Sequence, residues 1–143
     1  MSDSTLGVEF LRLTRRCRGI DKYVSSSAGL TIDEMHCLSA LLSESPPSVS
    51  RLSELTNVSP TRASKVLKGL ELKGLVSRML DAVDRRKEKV ILTETGRREA
   101  LVILSLFAEV GSELLGGWRK ELATDFSWLV QAMTQKEQEH RRG

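Results

Sequence analysis

Three residues, Asn57-Val58-Ser59, separate two short amphipathic stretches and constrain this chain more than any other feature. Before them, Val49 to Asn57 sets Leu52 and Leu55 on one stripe, which predicts a short helix. After them, Ser59 offers an N-cap oxygen, and Pro60 suits the first helical position, where no N–H is needed. On a helical period Ala63, Val66, Leu67 and Leu70 then face inward, leaving Thr61, Arg62, Ser64, Lys65 and Lys68 outside. Gly74 suits the left-handed residue that closes such a helix. Beyond it the period changes: Leu75 to Leu80 and Lys89 to Thr93 read as two short strands, hence a hairpin. Two helices across a tight turn, followed by a hairpin, make a winged helix-turn-helix.

The flanks read as helices. Leu6, Phe10, Leu13, Cys17, Ile20 and Val24 recur at heptad-like spacing, with Arg12, Arg15, Arg16 and Arg18 off the stripe. This helix ends near Ser25-Ser26-Ser27-Ala28-Gly29. Thr31 and Glu34 form a capping box before Met35, Leu38, Leu41 and Leu42, in a helix that stops before Pro46-Pro47. Thr93 can cap a helix through Ala100, Leu101, Leu104, Phe107, Ala108 and Leu115, broken at Gly116-Gly117. A last helix carries Trp118, Leu122, Phe126, Leu129, Val130 and Met133, and is expected to fray in the polar tail after it. The expected fold class is therefore mainly α with a small β-hairpin wing. Residues 31–98 make the winged helix-turn-helix, and helices of residues 1–30 and 99–143 flank it, with apolar seams beyond what so small a core needs.

Charge points to a partner. Between Ser48 and Arg98 there are 12 Lys/Arg and 6 Asp/Glu, a net of +6, whereas the rest of the 143 residues carries −3. A basic middle between mildly acidic ends is the footprint of a nucleic-acid site. Only 4% of residues are aromatic, which argues against a base-stacking RNA platform. The composition, 40% hydrophobic and 29% charged, is that of a globular domain. The first residues lack a signal peptide's pattern, and no apolar run is long enough to span a membrane, so the chain is expected in the cytoplasm with Cys17 and Cys37 reduced.

In a helix-turn-helix the second helix enters the major groove of double-stranded DNA. Ser59, Pro60, Thr61, Arg62, Ser64, Lys65 and Lys68 form its candidate contact set. The helix N-terminus and hydroxyls suit a phosphate, Arg62 a guanine edge, and Lys65 and Lys68 the backbone. No acid occurs from Val58 to Leu70. The alternative is a winged helix used as a protein-interaction or architectural module, which predicts an apolar or acidic outer face there instead. No nucleophile–base pair, metal cluster or phosphate loop appears, so no enzyme activity and no cofactor are expected.

The stretches LTIDEMHCLSALL, LSELTNVSPTRASKVLKGLELKGLVSR and DAVDRRKEKVILTETGR resemble the MarR family of bacterial transcriptional regulators over roughly residues 30 to 98. The resemblance implies that the carboxylate of Asp84 braces Arg86, and that Arg86, with Arg85 beside it, reaches the minor groove or its phosphates. A guanidinium already held by a carboxylate loses less freedom on binding. Asp84 equally suits an Asx-type turn, while Lys87 and Lys89 supply general attraction or solubility.

The same resemblance implies a homodimer reading a pseudo-palindromic operator, with the chain ends interleaved about a two-fold. Leu6, Phe10 and Leu13 would face Trp118, Leu122, Phe126, Leu129 and Met133. Many relatives are repressors released by a small aromatic or anionic effector or by thiol oxidation, and no spacing here marks an effector pocket. Cys17 lies on the apolar seam and reads either as a buried small hydrophobe or as a redox sensor. Tyr23 is the only tyrosine, a departure from peroxide-sensing members. His36 and Cys37 point about 100° apart on one helix and do not converge on a metal, so none is expected.

Overall fold

Ser2, Ser48 and Ser59 each turn a hydroxyl back onto a helix that starts beside it. They accept the backbone N–H of Thr5, Arg51 and Arg62 at 3.3, 3.1 and 3.2 Å. The helices so begun are α1 (Asp3–Ser27), α3 (Val49–Thr56) and α4 (Pro60–Leu72), in a computed structural model that describes residues 2–43, 47–115 and 120–143. Between them α2 (Ile32–Ser43) starts on the capping box read from the sequence. Thr31 N–H donates to Glu34 Oε2 at 2.9 Å, and Glu34 N–H to Thr31 Oγ1 at 3.2 Å.

Helices α1, α3 and α4 stop in one way. Gly29, Asn57 and Gly74 take left-handed φ of 67°, 56° and 71°. The N–H groups of Leu30, Val58 and Leu75 then reach back to the carbonyls of Ser25, Ser53 and Leu70 at 2.9, 3.3 and 3.0 Å. The tight turn is therefore a helix end closed by an asparagine and followed at once by the cap of α4.

After Gly74 the chain forms β1 (Val76–Leu80) and β2 (Glu88–Leu92), antiparallel, with Val76 opposite Leu92 and Leu80 opposite Glu88. Ser48 bridges Lys89, and the Pro47 carbonyl accepts Val90 N–H at 3.2 Å. The segment leading into α3 thus adds a short third edge to the wing, which the sequence did not disclose. Proline, lacking an N–H, fits only at such an edge.

Thr93 follows β2 and begins α5 (Glu94–Leu115) by accepting Gly96 N–H at 2.9 Å. Its hydroxyl also donates to the Gly74 carbonyl at 2.7 Å, and its N–H to that of Leu75 at 3.1 Å. A Cβ on Gly96 would lie 1.8 Å from the Leu75 oxygen. The Leu-Thr-x-x-Gly pattern is therefore a backbone junction in which threonine ties the hairpin to α5 and glycine admits the approach.

The chain divides into two compact units, residues 1–106 and 107–143. In the first, α2 packs against α1, α3, α4 and β2, and α4 against β1. Met35, Leu38, Leu52, Leu67, Leu70 and Ile103 are fully shielded there, each burial worth about 1.5–3 kcal/mol. Of the inward set expected on α4, Ala63, Leu67 and Leu70 are buried and Val66 is half-buried. The second unit holds the end of α5 and α6 (Lys120–Arg142).

One expectation needs revision here. The tail does not fray: α6 runs on to Arg142, with Lys136 pairing Glu139 at 3.3 Å one turn away. His140, Arg141 and Arg142 sit in its last turn, where positive charge favours the carbonyl end. Gly116, Gly117 and Trp118, like Pro46, lie outside the described residues. Among the described residues, no helix is long and apolar enough to cross a membrane.

Candidate nucleic-acid interface

Because Ala63, Leu67 and Leu70 anchor α4 from within, its other face is fixed by helical geometry. Ser59, Pro60, Thr61, Arg62, Ser64, Lys65 and Lys68 are all exposed on it. Arg62 does not hang loose: its Nε donates to Asp33 Oδ2 on the first turn of α2, although 64% of its side chain stays open to solvent. That pairing spans 29 residues, and no local spacing announces it.

A second carboxylate on α2 ties the other end of α4. Glu34, besides capping its own helix, accepts Lys73 Nζ at 2.6 Å, and Lys73 also reaches the Gly29 carbonyl at 3.4 Å. A Cβ on Gly69 would come within 2.6 Å of Glu34 Oε1, so glycine makes room for the carboxylate. Burial pushes the Glu34 carboxyl up, but Lys73 and the Thr31 N–H outweigh it and hold the group below its ordinary range.

The wing tip is organised by Asp81. Its Oδ1 accepts Val83 N–H at 2.8 Å and Asp84 N–H at 3.4 Å, and Lys89 pairs with its Oδ2 at 3.1 Å. Asp81 N–H meets the Lys87 carbonyl at 2.8 Å and closes the loop. The Val83 N–H, then Lys89, holds the Asp81 carboxyl below its usual range. An aspartate two residues before the turn's apex is a sequence-level Asx signal, which could have identified it.

Asp84 corrects the expected brace. Its Oδ1 accepts the backbone N–H of Arg86 at 3.0 Å and makes no ion pair with the Arg86 guanidinium among the described residues. The tight turn explains this, since the neighbouring N–H lies within reach of a short carboxylate without ordering a long side chain. Arg85, Arg86 and Lys87 are exposed, and they line an open cleft of about 340 Å³ with Ser48 and Ser50 at the start of α3.

Arg78, absent from the sequence reading, joins wing to helix. From β1 its Nη2 donates to the Ser64 carbonyl of α4 at 3.2 Å and its Nη1 to Glu88 of β2 at 3.4 Å. Its Nε lies buried, 3.5 Å from Glu71 Oε2. One guanidinium thereby touches the face of α4 that carries the basic residues and both strands of the hairpin.

Most of the expected dimer residues that the structure describes are open in the single chain. Leu6, Phe10 and Leu13 are 55%, 44% and 50% exposed on α1. On α6, Phe126 and Met133 are exposed, whereas Leu122 and Leu129 are half-buried. Cys17 is exposed too, against the reading of a buried hydrophobe, because only the Ile20–Val24 end of that seam reaches cover. Cys37 is buried in the α2 core, and burial pushes its thiol up to about 11. Beside it on α2, His36 Nε2 lies 3.0 Å from Asp21 Oδ2 of α1.

The fold is that of the winged helix-turn-helix transcriptional regulators. The MarR family model matches residues 30–87, within the span where the sequence resemblance was read. A MarR transcriptional regulator from Methanosarcina mazei is 19% identical over 96% of this chain and 99% of its own, at a TM-score of 0.76. CouR from Rhodococcus jostii, solved with p-coumaroyl-CoA bound, is 19% identical over 90% and 91%, at 0.77. BpsR from Bordetella bronchiseptica, whose DNA binding is regulated by 6-hydroxynicotinic acid, is 22% identical over 91% and 98%, at 0.72. No curated protein sequence matches the chain.

Proposed function

We propose that this protein is a sequence-specific regulator of transcription that binds double-stranded DNA as a homodimer. Recognition helix α4 would lie in the major groove and the wing in the minor groove. One observation carries the reading: an acid-free, exposed basic face on α4, from Thr61 to Lys68, joined through Arg78 to a hairpin that presents Arg85, Arg86 and Lys87. The roles follow from chemistry. Arg62 addresses a base edge, Lys65 and Lys68 take phosphates, and Ser59, Thr61 and Ser64 hold the backbone at the helix start with Pro60. Asp84 fixes the backbone at Arg86, not its guanidinium.

The regulator acts as a repressor on a pseudo-palindromic operator and releases it when a small aromatic or anionic molecule binds. The support for an effector is that CouR binds p-coumaroyl-CoA and BpsR responds to 6-hydroxynicotinic acid. The reading includes no enzymatic step.

Selection of duplexes from a random library, followed by fluorescence anisotropy on the selected sequence, tests the reading. Arg62→Ala or Arg86→Ala should each weaken binding at least tenfold while the dimer persists. Affinity should also fall steeply with salt, since a site of six to ten phosphate contacts loses about 10³–10⁵ between 50 and 200 mM. Unchanged binding by both variants, with a shallow salt slope, would sink the site assignment.

A further inference from the structure

We propose that Asp33 is a specificity-determining residue: from the first turn of α2 it sets how Arg62 can meet a base. The inference rests on the DNA reading above and adds to it a residue outside both the recognition helix and the wing. Asp33 Oδ2 accepts Arg62 Nε, and no other hydrogen bond of that guanidinium occurs among the described residues. An arginine can grip the O6 and N7 of guanine end-on through its two terminal nitrogens, or side-on through Nε and one of them. With Nε engaged by Asp33, only the end-on approach is left. The carboxylate thereby removes one whole family of contacts from a side chain that would otherwise sample both.

The platform is firm. Asp33 precedes the shielded Met35 and Leu38 on a helix whose start is locked by the Thr31–Glu34 box, and its side chain is only 22% exposed. Arg62, at 64%, stays accessible. The sign of the charge argues the same way. A carboxylate beside a DNA-facing helix repels phosphate, so it lowers general affinity. It also holds its arginine away from nearby phosphates, which carry no sequence information. Asp33 is therefore a device against wrong sites, the repulsive element that specificity requires.

The test uses the full-length chain and random-library selection, scoring base preference position by position, with affinity measured on the selected duplex and on a scrambled one. Asp33→Asn and Asp33→Ala should each lose about tenfold discrimination at a single base-pair position per half-site, the position that Arg62→Ala also relaxes. Affinity for the scrambled duplex should rise. In an Arg62→Ala background, Asp33→Asn should change base preference no further and leave only its general gain in affinity. A preference retained at that position overturns the inference, and so does a loss spread evenly over all positions, which a merely structural role would give. If the wild-type chain selects no sequence at all, the DNA reading itself has failed and this inference falls with it.

Discussion

Gly96 and Glu34 carry the strongest residue-scale consequences. An added Cβ at Gly96 would meet the Leu75 oxygen at 1.8 Å, and that oxygen is already fixed by Thr93 N–H. Backbone must move, so Gly96→Ala should destabilise by about 3 kcal/mol, the upper part of the usual range for overpacking, read from the urea midpoint. Glu34 makes the fold acid-sensitive in a defined direction. Its folded pKa lies below the ordinary 4.5. The stability it contributes is therefore full above the unfolded value and is lost as pH falls through the folded one. Urea midpoints should drop as pH is lowered below 4.5, and Glu34→Gln should flatten that dependence while lowering the midpoint at neutral pH.

At the scale of elements, the joint between α4 and the wing rests on Arg78. Replacing it by Met keeps the bulk of the side-chain stem but cuts the links to Ser64 and Glu88. The hairpin should remain, since its ladder is independent of that side chain. On the proposed reading, operator affinity should fall about tenfold, roughly the worth of one lost charge-assisted contact. Footprinting should lose minor-groove protection and keep the major-groove pattern. Equal loss in both grooves would mean that Arg78 simply supports the fold.

Element starts and stops were legible in the sequence because they are local. Ser59-Pro60, the Thr31–Glu34 box, Asn57 and Gly74 each act within a few residues, and the structure uses all of them. Arg78, Asp33 and Lys73 were not legible, since their partners lie 14, 29 and 39 residues away and nothing in their own spacing points there. The wing fell between. Its acids were conspicuous, but a carboxylate beside a turn chooses between a guanidinium and a backbone N–H by reach. Asp81 and Asp84 both took the backbone.

For the whole molecule, the exposed seam of α1 is the feature that most needs a partner. Leu6, Phe10 and Leu13 present apolar area that a monomer would leave in water. In the proposed dimer, Leu13→Glu should place a charge in the interface, give a monomer by sedimentation, and abolish tight operator binding while α4 and the wing stay folded. A dimer unaffected by that change would move the interface elsewhere. The two thiols give the molecule a pair of built-in clocks. Cys17 lies open on the single chain, so its alkylation slows in proportion to how far a second subunit covers α1. Cys37, buried on α2 beside Thr56 of α3 with its thiolate disfavoured, is modified only when that core opens. In the proposed dimer, one labelling experiment, resolved by mass, thus times two events separately: subunits parting and the core around α2 coming undone.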